Sequence, residues 1–142
     1  ITVAIDAKKI IQPSNINYPE EAVRCDENSI WEVFTHGGRN PTGIDALKWA
    51  HHMETLGAGE LLVTSMDKDG TNSGYDHELM QAIARRSVIP TIASGGAGTL
   101  DHISNILHHA DAALLASLLH YNKTTIPEIK NHCFNHQIVM RL

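Results

Sequence analysis

The chain of 142 residues carries a formal net charge of −5, with 42% hydrophobic and 19% charged residues. That is the make-up of a globular protein with room for a core, and the acidic balance argues against the basic stripe of a nucleic-acid surface. No apolar run approaches the roughly 20 residues that cross a bilayer, the basic-then-apolar pattern of a secretory leader is not visible and none is expected, and two cysteines, Cys25 and Cys133, build no disulfide framework, so a reducing, cytoplasmic setting is expected.

In chain order, Ile1 to Ile5 is β-rich and ends at Asp6. The absence of a Met before Ile1 suggests that an upstream part is missing. Residues 9–29, with Pro13, Asn15, Asn17 and Pro19, have neither helical nor strand period and read as an irregular insertion on the loop face. Ile30 to Thr35 alternates like a hairpin arm, and Gly37, Gly38 and Pro41 mark the turn before a helix. Thr42 with Asp45 three residues on resembles a capping box. Ala46, Trp49, Ala50 and Met53 then share one helical face, which Gly57 and Gly59 end.

Leu61 to Met66 is apolar enough for a strand buried on both faces. A helix over about 76–86 is expected to bury Leu79, Ala82 and Ile83. After Pro90 comes the strand Thr91 to Ser94, then a helix over about 99–109 with Ile103, Ile106 and Leu107 inward. A fourth strand starts at Ala112 and a last helix covers about 126–134, with 138–142 packing back on the domain. Strands alternating with helices specify an α/β fold with a parallel sheet and right-handed crossovers. Four such units make half of a (β/α)8 barrel, in which chemistry collects on the loops at the strand C-termini.

Four strand ends carry candidate chemistry. Asp6 follows a buried apolar run with no helix directly after it to cap, a position suited to a general acid or base beside Lys8. The turn Asp67-Lys-Asp69-Gly70-Thr71 has the spacing of a calcium loop when read from Ser65 to Asp76, but the run before it is β-like rather than helical. The alternative is that Asp69 orients a ligand hydroxyl while Gly70 presents its amide. Ser94-Gly95-Gly96-Ala97-Gly98 lets backbone amides approach an anion closely, and Ala116-Ser117 sits at the next strand end, where barrels of this type frequently hold a phosphate. His132 and His136, spaced i, i+4 around Cys133, look like one side of a zinc site, but no acidic partner stands at ligand spacing. Solvated or capping histidines are the better reading, and Cys25 lacks a base that would make it a nucleophile.

The motifs Val3-Ala-Ile-Asp-Ala-Lys8, Trp31-Glu-Val-Phe-Thr-His-Gly-Gly-Arg39, Pro41-Thr-Gly43, Gly57-Ala-Gly-Glu60, Thr64-Ser-Met-Asp-Lys-Asp-Gly-Thr71, Ser73-Gly-Tyr-Asp76, Ile92-Ala-Ser-Gly-Gly-Ala-Gly98 and Ala116-Ser117 with His120 occur in order. In this the chain closely resembles the C-terminal half of the cyclase subunits of imidazole glycerol phosphate synthases, from histidine biosynthesis, everywhere but residues 9–29. The resemblance implies a (β/α)8 barrel whose N-terminal half is absent here. It implies a bis-phosphorylated ribulosyl formimino nucleotide as substrate, and ammonia from a glutaminase partner. Asp6 would be one of two acid–base aspartates, the other lying on the absent half. Asp69, Gly70, Gly96, Ala116 and Ser117, with Ser94 and Gly95 nearby, would hold one substrate phosphate. Glu60 would belong to a charged gate at the bottom of the barrel. No metal or organic cofactor is implied. An isolated half-barrel with open strand edges is also expected to self-associate, and a non-catalytic, phosphate-binding half-barrel or the pathway's sister isomerase are the alternative readings.

Overall fold

The computed structural model describes residues 1–140. Six strands form one sheet in the order β3-β2-β1-β4-β5-β6. In chain order these are β1 (Thr2–Lys9), β2 (Trp31–Thr35), β3 (Asn40–Asp45), β4 (Glu60–Ser65), β5 (Thr91–Ser94) and β6 (Ala112–Ala113), with helices α1 (Ala46–Thr55), α2 (His77–Ala84), α3 (Leu100–Ile106), α4 (Ser117–His120) and α5 (Ile126–Asn135). Strands β1, β4, β5 and β6 are parallel neighbours, as the half-barrel reading requires. The other two form an antiparallel hairpin that extends the sheet beyond β1. It is this pairing that carries β1 past Asp6 to Lys9, so Asp6 lies within the strand rather than after it.

Because β1, β4, β5 and β6 follow one another in one direction, right-handed crossovers deliver the intervening helices to the same side of the sheet. Burial alternates accordingly. Ile5, Ala7, Leu61, Val63, Ser65, Thr91 and Ala93 point to the helices and are buried, packing with Leu47 and Ala50 of α1, Leu79, Met80 and Ile83 of α2, and Ile103 and Ile106 of α3. On the opposite face Asp6, Lys8, Leu62, Thr64, Ile92 and Ser94 are only half-buried and Ala4 is exposed. In a closed barrel this second face is the interior.

The helix signals need three adjustments. Thr42 is not a cap: it lies in β3 and donates to the Val33 carbonyl (2.7 Å), while Asp45 caps α1 by accepting from the amides of Leu47 and Lys48 at 2.8 and 2.9 Å. Pro41, too, belongs to β3. The real capping box lies at α5, where Thr125 and Glu128 satisfy each other's amides. Ala82 and Leu107 are half-buried rather than central, and α2 and α3 are shorter than their periodic windows.

Of the segment 9–29, Lys9 belongs to β1 and residues 10–29 lack regular elements but are tied down. Val23 is buried, Arg24 bridges to Ile44, and Lys48 Nζ reaches both the Arg24 carbonyl (2.8 Å) and Asp26 (2.6 Å). Of the tail expected to pack back, Ile138 and Met140 are half-buried against the core; residues 141 and 142 lie outside the described residues.

Candidate functional site

Strand register places the first group of candidates. Asp6 pairs with Thr64 of β4, and Thr64 with Ser94 of β5. The three side chains therefore form one row on the bare face. With strands about 4.8 Å apart, Asp6 stands roughly 10 Å from Ser94, separated by Thr64. Thr64 was not among the candidates read from the sequence; pairing register is the signal that finds it. Lys8 projects from the same face two residues on, its ammonium 5.4 Å from the centre of the Phe34 ring in a cation–π arrangement.

The second group converges on a cavity of about 150 Å³ lined by Asp69, Gly70, Asn72, Ser94, Gly95, Gly96, Ala97, Leu114, Ala116 and Ser117. It contains every residue assigned to the phosphate cradle, drawn from the loops after β4, β5 and β6. It also adds Asn72, whose side-chain oxygen accepts from Ser117 Oγ (3.2 Å) and so ties the first loop to the last. Asn72 sits at φ +56°, a left-handed conformation that Asn tolerates better than most residues.

The cradle is narrow because its glycines let backbones touch. Gly96 has φ +104°, and a Cβ there would lie 2.1 Å from the Gly74 carbonyl oxygen. The same two residues are joined by a hydrogen bond from the Gly74 amide to the Gly96 carbonyl (2.8 Å). Tyr75, buried next door, donates its hydroxyl to the Leu114 carbonyl (2.9 Å), and burial pushes that phenol well above its ordinary pKa, so it stays a neutral donor. At the rim, α4 begins at Ala116 without a side-chain cap, which leaves the amides of its first turn without a side-chain acceptor. Small residues, backbone donors and the Ser94 and Ser117 hydroxyls suit a tetrahedral oxyanion rather than an apolar ligand.

The calcium reading of the β4 loop fails. Asp76 caps α2 through the Leu79 amide (3.0 Å) and accepts from Ser65 Oγ (2.9 Å), while Asp67 accepts from the Lys9 amide (2.7 Å). Their oxygens point to protein donors, not to a common centre. Glu60 lies at the start of β4, four residues before Thr64, hence about 13 Å along the strand from the Asp6 row, at the opposite end of the sheet. It is half-buried and accepts a hydrogen bond from Thr2 Oγ1. Cys25 does not line the cavity; burial first, then the carboxylates of Glu32 and Asp45, raise its thiol to about 11. It is poorly disposed to be a nucleophile.

One histidine expectation is overturned. An acidic partner does accompany His132 and His136, contributed by another helix: Asp101 of α3 lies 3.2 Å from His132 Nε2. Sequence spacing could not reveal it, because the residue sits 31 positions away from His132.

A family model described as "Histidine biosynthesis protein" matches residues 1–125. The HisF subunit of imidazole glycerol phosphate synthase from Nostoc sp. is 51% identical over 144 aligned positions, taking in 100% of this chain and 51% of its own. HisF subunits from Microcystis aeruginosa and Synechococcus sp. are 54% and 53% identical, each over 99% of this chain and 51% of their own. The chain thus spans about half the length of the curated relatives it matches.

Proposed function

The chain belongs to the histidine biosynthesis protein family, and on that footing we propose that it carries one half of an imidazole glycerol phosphate synthase cyclase site. The observation that supports this most directly is the convergence of three strand-end loops on one small oxyanion-shaped cavity, in a sheet whose register sets Asp6 two strands away. In this reading the cradle of Asp69, Gly70, Ser94, Gly95, Gly96, Ala116 and Ser117 anchors one phosphate of the bis-phosphorylated substrate. Backbone amides and hydroxyls take the phosphate oxygens, and Asp69 accepts from a ligand hydroxyl. The anchor supplies positioning energy for the reacting centre, which lies over the bare face.

There Asp6 moves a proton, with Lys8 on the same face of the strand two residues on. A group of this kind contributes typically ~10²- to 10⁴-fold. Glu60, at the far end of the same face, contributes to the gate that admits ammonia from a glutaminase partner. The second aspartate and second phosphate anchor come from the other barrel half. The setting proposed is cytoplasmic. With its interior face bare, the chain in the absence of that half is proposed to self-associate. Light scattering at micromolar concentration would contradict this if it found a stable monomer.

The decisive assay mixes the purified chain with a separately produced N-terminal barrel half of a relative, and supplies substrate and ammonium salt. Turnover is expected in the mixture, is expected to be negligible for the chain alone, and should fall ~10²- to 10⁴-fold with Asp6→Asn. Full turnover by the Asp6→Asn mixture would refute the catalytic role of Asp6. Equal turnover by the chain alone would refute the half-site reading.

A further inference from the structure

Away from the bare face, on the helical side, Asp101, His132 and His136 bring one ligand atom each within 4.8 Å of the other two. We propose that these three residues form a binding site for a zinc-class divalent cation, which links the start of α3 to the end of α5. No part of the cyclase reading uses them.

The placement follows from helix geometry. His132 lies in the last turn of α5 and His136 is its C-cap, so the i, i+4 spacing puts both rings on one side. Their centroids are 4.2 Å apart with planes inclined by 33°. Asp101 occupies the first turn of α3, where a carboxylate suits the helix dipole.

Three details favour a cation over a plain ion pair. First, His136 Nδ1 lies 2.8 Å from the His132 carbonyl. A carbonyl only accepts, so Nδ1 carries the proton and Nε2 keeps the lone pair. A backbone carbonyl fixing the tautomer in this way is the usual outer support of a metal-bound histidine. Second, His132 Nε2 and Asp101 Oδ1 are 3.2 Å apart. Ligands held at the ~2.0–2.1 Å bond lengths of a tetrahedral zinc centre stand about 3.3 Å from one another, so this pair already has ligand spacing. The exposed His136 ring must close in by no more than roughly 1.5 Å, a small side-chain rotation. Third, Ser104 is buried, donates to the Asp101 carbonyl (3.1 Å), and sets its lone pairs 3.3 Å from His132 Nε2. In the metal-free protein that nitrogen therefore holds a proton shared between Ser104 and Asp101. Cation binding uses the other tautomer: the single proton of the neutral ring passes through solvent from Nε2 to Nδ1, and the freed Nε2 lone pair takes the cation.

Three protein ligands leave a coordination position for water. The two imidazoles, borderline donors beside one hard carboxylate, select zinc, cobalt or nickel over magnesium or calcium. Asp101 follows Gly98 by three residues, so an occupied site would brace the helix that leaves the Gly95–Gly98 turn.

The test is calorimetric titration of the chain with Zn²⁺, repeated with Co²⁺ while the visible ligand-field absorption is followed, and with Mg²⁺ as the control. One saturable Zn²⁺ equivalent is expected, with a rise in melting temperature and no response to Mg²⁺. Asp101→Asn, His132→Gln and His136→Ala should each weaken binding by roughly tenfold or more. Asp101 and His136 are exposed, so their variants should keep the parent's circular dichroism and melting temperature in chelator. Absence of a saturable equivalent would overturn the proposal. So would binding that survives any one of the three substitutions, which would move the cation to other histidines among the ten in the chain.

Discussion

Replacing Gly96 by Ala tests whether the cradle is shaped by backbone contact or merely lined by small residues. The added Cβ would meet the Gly74 carbonyl oxygen at 2.1 Å and its carbon at 2.8 Å. Both belong to backbone, so no side chain can swing aside. Restoring ordinary van der Waals separation requires one segment to move by roughly 1 Å, at an overpacking cost of about 1–3 kcal/mol. The φ of +104° adds strain of about 1–3 kcal/mol for any residue with a Cβ. Together they predict a loss of about 2–6 kcal/mol, with the Gly74–Gly96 hydrogen bond lengthened or broken. Gly70 is the internal control: it lines the same cavity at φ +74°, but a Cβ there meets nothing within 4 Å. Gly70→Ala should therefore cost only the left-handed penalty, about 1–2 kcal/mol. Urea unfolding gives both values, and titration with inorganic phosphate gives the second readout. Gly96→Ala should abolish phosphate binding that Gly70→Ala only weakens. Equal stability losses in the two variants would refute the contact argument, whatever the binding data show.

Three further outcomes follow from individual residues. Asp45→Ala should destabilise the chain by about 1–2 kcal/mol, as loss of an N-cap does. Thr42→Ala, which loses the bond to the Val33 carbonyl and a longer one from the Ile44 amide, should cost about 1–2 kcal/mol with no loss of helix; circular dichroism showing helix lost in Thr42→Ala but not in Asp45→Ala would restore Thr42 as the cap. His77 has its pKa lowered, by burial first and then by the nearby His109. The unfolded chain therefore binds the proton more readily, and stability present above about pH 6.5 should fall as the solution is acidified below it. His77→Asn should flatten that slope in urea titrations across pH 5–8, and an unchanged slope would sink the assignment. Cys25, raised to about 11, should react with a disulfide reagent at pH 8 roughly a hundredfold more slowly than an unperturbed thiol, after allowance for Cys133 with a Cys133→Ser variant.

The parallel strands were legible because each is a short apolar run ended by Gly, Asp or Ser, a local pattern that a sequence carries openly. The cradle was legible for the same reason: Asp69-Gly70, Ser94-Gly95-Gly96 and Ala116-Ser117 each end such a run, and a parallel sheet brings those ends to one edge. What escaped were relations between segments. Asn72 was hidden because it has meaning only through its bond to Ser117, 45 positions away. Thr64 needed the register on both its sides. The T-x-x-D pattern at Thr42 imitates a cap because it does not say that β3 continues through Asp45, whereas the T-x-x-E pattern at Thr125–Glu128 forms the true capping box. Asp101 could not be joined to His132 and His136 without knowing that α3 packs against α5.

The distinction between local and relational signals also bears on how the site is built. Asp6 and Ser94 are held apart by one intervening strand, so their separation is set by two backbone hydrogen-bond ladders rather than by loop conformation. Loops deform readily, but changing a strand spacing means breaking a ladder or slipping its register, which would turn every side chain of β4 to the other face. Leu61 and Val63, buried against the helices, oppose that slip, because it would send both onto the bare face and bring Leu62 and Thr64 into the core. The hydrophobic pattern of β4 thus fixes Asp6 relative to the cavity lined by Asp69, Ser94 and Ser117, although neither Leu61 nor Val63 faces it. An even-numbered shift in that pattern would preserve burial but move Asp6 by two residues, roughly 7 Å, against the cradle. For that reason the packing of β4, rather than the chemistry of any one loop, is where the geometry of this site is most tightly specified.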